Sequence, residues 1–371
     1  MEIPFLRDVI IIFSLSVIVI FLFHKIKVPS IVGFLLTGVL AGPHALKLIK
    51  NVHDIEMIAE VGVILLLFTI GIEFSFKKLQ KIRRSVLLGG ALQVGLTILL
   101  TYFLTRQVGL SWPQAVFAGF LVSLSSTAVV LKIIQSRGEI ATHHGQTSLA
   151  VLIFQDIIIV PMMLFLPFLA GSETEVASSI LIFAAKAVLI IALTYIGAKY
   201  VIPWVLLNIA RTQSRELFMI VIILIALAIA WFTSTLGLSL ALGAFIAGLI
   251  ISESEYSEQA FGNIMPFRDV FTSFFFVSIG MLLNLEFVAN NLVLVLLLTG
   301  GLMVLKTLVA GFATFMLGFP FRTTVIVALT ISQIGEFSFI LSRIGMDYEL
   351  FSPDNYQAFL AVALALCAPS I

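Results

Sequence analysis

Apolar residues run along this chain in long, nearly unbroken stretches, separated by short clusters of basic, acidic, proline and glycine residues. A helix needs about 20 mainly apolar residues to cross the hydrocarbon core of a bilayer. Thirteen stretches read as spans, near residues 8–24, 29–42, 58–73, 86–105, 114–133, 147–170, 177–198, 216–234, 236–251, 267–285, 291–316, 321–343 and 356–371. The second and ninth are short and rich in glycine. The connections are brief, so the pattern predicts an all-α membrane bundle with no soluble domain set into it.

Composition agrees, with 60% hydrophobic and 11% charged residues, against about 25% charged in a soluble domain. The single cysteine, Cys367, excludes an internal disulfide and a cysteine metal cluster. The first apolar run has the length of a span and no small-residue cleavage site after it, so it reads as a membrane helix, not a cleaved leader. Placement of charge says more than the balance of +1. With the N-terminus outside, the cytoplasmic side receives fourteen basic residues: Lys25, Lys27, Lys77, Lys78, Lys81, Arg83, Arg84, Lys132, Arg137, Lys199, Arg211, Arg215, Arg268 and Arg322. The outer side receives five: Arg7, Lys47, Lys50, Arg106 and Arg343. The excess predicts a multi-pass cell-membrane protein (a bacterial inner membrane fits), N-terminus out and C-terminus in.

A repeat lies beneath the pattern. Leu67-Phe68-Thr69-Ile70-Gly71-Ile72 in the third span matches Phe276-Val277-Ser278-Ile279-Gly280-Met281 in the tenth, 209 residues later. At the same offset Ser30 lands on Ser239, and Ser123-Leu124-Ser125-Ser126-Thr127 lands on Ser332-Gln333-Ile334-Gly335-Glu336. Seven spans separate the copies, and an odd number inverts the second. Inverted repeats belong to secondary transporters, whose sites lie near the midplane.

A charge at the bilayer centre costs about 2.5–3.5 kcal/mol on insertion scales, so each one needs a reason. Asp156, Lys186, Lys306 and Glu336 stand well inside spans, whereas Glu60 and Glu73 sit near span ends and read as interfacial anchors. Asp156 follows Gln155 and precedes Pro161, whose missing N–H frees the carbonyl of Ile157 beside the carboxylate. It reads either as a structural ion-pair partner or as a carboxylate that binds a proton or a cation in turn. Lys306 has no acid near it on its own span, and Asp156 is its expected partner. Lys186 is placed to snorkel outward. The run Ser123, Ser125, Ser126, Thr127 and its repeat partner Thr330, Ser332, Gln333, Gly335, Glu336 read as two unwound midspan segments. The other reading of such small residues is tight helix packing.

On Leu124-Ser125-Ser126-Thr127-Ala128, Phe154-Gln155-Asp156, Phe276-Val277-Ser278-Ile279-Gly280-Met281, Lys306 and Gln333-Ile334-Gly335-Glu336-Phe337, the chain resembles the monovalent cation:proton antiporters, nearest their potassium-efflux (Kef-type) branch. The resemblance implies a sodium/proton antiporter-like fold of about thirteen helices. It also implies inverted repeats, two crossing broken helices, and dimerisation and core subdomains interleaved over residues 1–371. By position it implies that Asp156 is the cation and proton carboxylate, with Gln155 its polar neighbour. Ser125, Ser126 and Thr127 then belong to one crossover, Gln333 and Glu336 to the other, and Lys306 is the charge partner. Electrogenic sodium relatives carry an acid where Gln155 stands, which leans the reading towards one potassium for one proton. Kef-type proteins continue into a cytosolic nucleotide-binding domain that senses glutathione. This chain ends at Ile371 inside an apolar stretch, so it is expected to be truncated from such a form, and no glutathione or nucleotide binding is assigned to it.

The expected function is exchange of a monovalent cation, potassium before sodium, for protons by alternating access, with no bond-making chemistry and no cofactor. Its expected partners are membrane lipid and a second copy of itself. The glycines of the second and ninth spans support close helix approach in a homodimer, and nothing points to nucleic acid. A gated cation channel is the rival, but no repeated carbonyl filter or charged ring appears. An intramembrane aspartyl protease needs two aspartates sharing a proton, and Asp156 is the one read at membrane depth.

Overall fold

A computed structural model describes residues 4–25, 28–49, 52–73, 85–171, 197–235 and 239–367. The apolar stretches are helices. In order they are α1 (Pro4–Lys25), α2 (Ser30–Ala41), α3 (Val52–Glu73), α4 (Ala91–Gln107), α5 (Trp112–Ser123), α6 (Thr127–Ser136), α7 (His143–Ala170) and α8 (Ile202–Ala210). There follow α9 (Arg215–Thr235), α10 (Leu240–Ser252), α11 (Ser257–Met281), α12 (Leu285–Asn290), α13 (Leu292–Met316), α14 (Phe321–Thr330), α15 (Glu336–Asp347) and α16 (Pro353–Cys367). Single π-helical turns, Ser85–Gly90 and Gly197–Val201, lead into α4 and α8.

Among the described residues seven helices are long and apolar enough to cross a membrane, with shorter apolar helices beside them. Each expected span coincides with a helix or a broken pair of helices, apart from the seventh. That one falls almost entirely on 172–196, outside the described residues, and Lys186 falls there too. α7 runs 28 residues straight through Pro161 and Pro167, as membrane helices do when neighbouring groups take over the freed carbonyls.

Two compact units divide the chain: Met1–Val52, Leu79–Ala170 and Phe276–Ile371 in the first, His53–Lys78 and Gly171–Phe275 in the second. In the first unit, α2 meets the end of α11 so closely that a methyl on Gly38 would collide with the carbonyl oxygen of Val277, and one on Gly280 with that of Leu35. In the second, α3 meets α10 in the same manner: a methyl on Gly248 would strike the carbonyl of Phe68, and one on Gly71 that of Phe245. Phe68 and Gly71 stand 209 positions before Val277 and Gly280, and Leu35 and Gly38 stand 210 before Phe245 and Gly248. The offset read from sequence therefore reappears as one packing motif formed twice. This corrects the use made of these glycines above. Gly38, Gly42 and Gly248 press against backbone of their own chain, Gly33 against Ile20 and Gly243 against Ala230 and Thr233, so their close approach is internal and lends a homodimer no support.

α13 is the least buried of the seven long apolar helices among the described residues, with 17% of its apolar window buried. One stripe, Val295, Lys306, Val309, Ala310, Ala313 and Thr314, turns inward. Ala310 joins Val130 and Ile134 of α6, Val151 and Leu152 of α7, and Val327 and Ala328 of α14 in a buried apolar cluster of the first unit. That cluster fixes α13 so that Lys306, fully buried, faces the segments described next.

Candidate functional site

Two helices of the first unit stop in mid-course. α5 starts with a capping box between Ser111 and Gln114 and ends at Ser123, because Leu124 (φ −86, ψ 137) and Ser126 (φ −80, ψ 110) are extended. The chain resumes as α6 at Thr127, where the Ser126 hydroxyl accepts the N–H of Val129 at 3.2 Å. α14 likewise ends at Thr330, and α15 starts after extended Gly335 (φ −98, ψ 170). Serine supplies the cap in the first break. In the second, only glycine fits, because a methyl on Gly335 would collide with the carbonyl of Ser125. Both breaks fall where the sequence placed them.

A break in a buried helix strands backbone groups that must find partners, and here they find one another. The N–H of Gly335 donates to the carbonyl of Leu124 at 3.2 Å. The Ser125 hydroxyl donates to the carbonyl of Ile331 at 2.7 Å, and that of Ser338 to the carbonyl of Leu121 at 2.7 Å. Lys306 joins both breaks, its ammonium donating to the carbonyls of Leu124 at 2.9 Å and Gln333 at 2.7 Å. Sequence alone named Asp156 as its partner; the structure gives it these two backbone carbonyls. From α7, the carbonyl oxygen of the Gln155 amide accepts the Ser125 N–H at 2.7 Å. The nitrogen of the same amide donates to Gln93 on α4, also at 2.7 Å. The two broken helices are thus laced across each other by hydrogen bonds between buried groups.

Asp156 lies one residue along α7, half-buried, at the start of α6. The Thr127 hydroxyl donates to its carboxylate, 3.0 Å from Oδ1 and 3.3 Å from Oδ2. Three hydrogen-bonded pairs, Ser125 with Gln155, Thr127 with Asp156 and Lys306 with Gln333, thus lie along the two breaks, with Ser126 capping α6 beside them. Gln333 is 5% exposed, and its side-chain nitrogen is buried without a hydrogen-bond partner among the described residues. Glu336, half-buried, opens the first turn of α15. Glu60 and Glu73 are exposed.

Sequence reasoning missed two residues. Gln93 is fully buried in α4 and Asp8 is 3% exposed in α1. The rule applied to charges would have found Gln93 had it been extended to uncharged amides. Asp8 stands at the edge of its span, where the sequence reading counted it as a boundary.

Among the described residues no group of three or more His, Cys, Asp or Glu could hold a metal ion. An open groove of about 430 Å³ between α4, α5 and α7 is lined by Ile98, Phe120, Phe154, Ile158, Met162 and other apolar groups. Such walls cannot replace an ion's hydration shell. The oxygens of the breaks and the carboxylate of Asp156 are chemically suited to that task.

The family model described as "Sodium/hydrogen exchanger, transmembrane" matches residues 11–369. K(+) efflux antiporter 4 of Arabidopsis thaliana is 34% identical over 346 residues, covering 91% of this chain and 58% of that protein. The glutathione-regulated potassium-efflux system protein KefC of Cronobacter sakazakii is 33% identical over 346 residues, covering 93% of this chain and 56% of that protein. The chain thus spans a little over half the length of these two curated relatives. A solved structure of the sodium proton antiporter MjNhaP1 from Methanocaldococcus jannaschii has the same fold, with a TM-score of 0.71 over 98% of this chain and 94% of that chain at 18% identity. With a match from residue 11 to residue 369, this chain belongs to the transmembrane sodium/hydrogen exchanger family.

Proposed function

We propose that the chain is the transport domain of an antiporter that exchanges potassium for protons across a cell membrane. Dimerisation and core subdomains are interleaved over residues 1–371, and access alternates between the two sides. The observation that carries the reading is Asp156 held by Thr127 at the mouth of one of two crossed helix breaks. As an anion, the carboxylate attracts a cation that has shed water, and nearby oxygens replace the lost hydration. Once protonated it has no charge to offer, so proton and cation exclude each other and their fluxes are coupled. Gln333 fits the reading: turned end for end, its buried amide presents a carbonyl oxygen where its unpartnered nitrogen now stands. Potassium is preferred over sodium because potassium efflux is what the relatives' names record. The work is transport, with a monovalent cation and protons as substrates. A homodimer, N-terminus out and C-terminus in, rests on family resemblance and on the basic-residue count.

The test is cation-dependent proton flux in proteoliposomes holding the full chain, run in potassium, sodium and rubidium. Wild type should saturate with cation and follow an imposed pH gradient. Asp156→Asn, which copies the protonated carboxylate in shape and charge, should insert normally and lose exchange at least a hundredfold, the scale expected when a reacting group's proton transfer is removed, about 10²–10⁴. Near-normal exchange in that variant would make the carboxylate structural and move attention to Glu336.

A further inference from the structure

We infer that Gln93 is a positioning residue for ion exchange: through Gln155 it sets the geometry of the break that carries Ser125 and Thr127. The inference rests on the exchange reading and deepens it.

The nitrogen of Gln93 lies 3.2 Å from the carbonyl of Ser123. A carbonyl can only accept, so the NH₂ end of Gln93 must face it. That nitrogen also donates to the hydroxyl of Thr97 at 3.3 Å, and the Thr97 hydroxyl is itself turned back on the carbonyl of Gln93 at 2.7 Å. The oxygen of Gln93 is left facing Gln155, which must present its own NH₂ there, at 2.7 Å. The oxygen of Gln155 then meets the N–H of Ser125 at 2.7 Å, and an N–H can only donate. Two side-chain amides therefore form a directed relay from the Ser123 carbonyl to the Ser125 N–H. In a continuous helix these backbone groups would bond along the helix to positions four residues away. Turning either amide over would set oxygen against oxygen or N–H against N–H. Gln93, Gln155, Ser123 and Ser125 are all fully buried, so no water stands ready to repair the mismatch.

Two residues beyond Ser125 the same backbone carries Thr127, whose hydroxyl rests on Asp156. Gln93 touches neither the carboxylate nor the ion; it acts by holding the strand that does. Its loss should therefore weaken cation binding more than it lowers turnover.

The test is a double-variant cycle on the full chain in proteoliposomes: wild type, Gln93→Leu, Gln155→Leu and both together. Gln93→Leu should raise the cation KM roughly tenfold, the size that one lost hydrogen bond of ordinary strength produces, with the maximal rate per folded protein within about threefold of wild type on that same scale. The double variant should be no worse than Gln155→Leu alone, because both act through one relay. A lower maximal rate with unchanged KM would assign Gln93 a merely structural role and overturn the inference, as would effects that multiply in the double variant. If Gln93→Leu does not assemble, Gln93→Met, closer in shape, replaces it in the same cycle. Failure of both to fold also overturns the inference. Absence of exchange in wild type would instead sink the exchange reading, so the two failures are distinguishable.

Discussion

Replacing Lys306 with methionine keeps much of its apolar stem and removes the ammonium that donates to Leu124 and Gln333. The carbonyl of Leu124 keeps the N–H of Gly335, whereas that of Gln333 loses the 2.7 Å bond it makes with the lysine. A buried acceptor left unsatisfied costs about 1–3 kcal/mol. Lys306→Met should therefore lower the midpoint of thermal unfolding in detergent by a few degrees, and Lys306→Gln, which retains an NH₂ donor, by less. A midpoint unchanged in both would mean the carbonyls find other donors. At this scale the chain was half legible. Charges in apolar runs are conspicuous, so Asp156, Lys306 and Glu336 were found at once. Gln93 was passed over because an uncharged amide in a long helix is common, and only its partners distinguish it. That Lys306 reaches two backbone carbonyls could not be read from sequence, since every residue carries a carbonyl and only the fold says which ones are stranded.

Among elements, the glycine contacts make the clearest forecast. Gly280→Ala and Gly71→Ala each push a methyl into the backbone of a facing helix, at Leu35 and Phe245 respectively. Overpacking of a close contact costs about 1–3 kcal/mol, and backbone cannot rotate aside as a flexible side chain can. Both variants should melt earlier than wild type, by similar amounts because the two contacts repeat one motif. Gly262→Ala, where a methyl would meet open space, should be nearly neutral. Spans and breaks were legible because apolar length, serine clusters and Gly335 act locally. The pairing of α2 with α11 and α3 with α10 was not. The repeat offset made the copies visible, but the sequence reading gave the glycines to a second protomer when their partners were in the same chain.

For the molecule as a whole, the excess of Lys and Arg predicts an orientation that labelling can check. With Cys367 replaced by alanine, a cysteine at exposed Gln213, between α8 and α9, should react with an impermeant maleimide only from the cytoplasmic side. One at Val108, 75% exposed beyond α4, should react only from outside. Reversed labelling would invert the topology read from the basic residues. Composition alone was enough to place the chain in lipid, and the inverted repeat to suggest a transporter. Its selectivity is another matter, since ion preference depends on the number and placement of coordinating oxygens, which residue types encode only in part. The buried ammonium between the breaks has a consequence for the transport cycle. A carrier must visit states in which its ion is gone, and a crossing of stranded carbonyls held together by a dissociable cation would loosen each time that cation left. Lys306 is a cation on a covalent leash: it cannot be diluted away, and its hold on the crossing follows no mass-action law. If Asp156 carries the exchanged ion as proposed, the scaffold stays assembled when the carboxylate is empty, and the free energy of binding the ion can go into the exchange and need not rebuild the site.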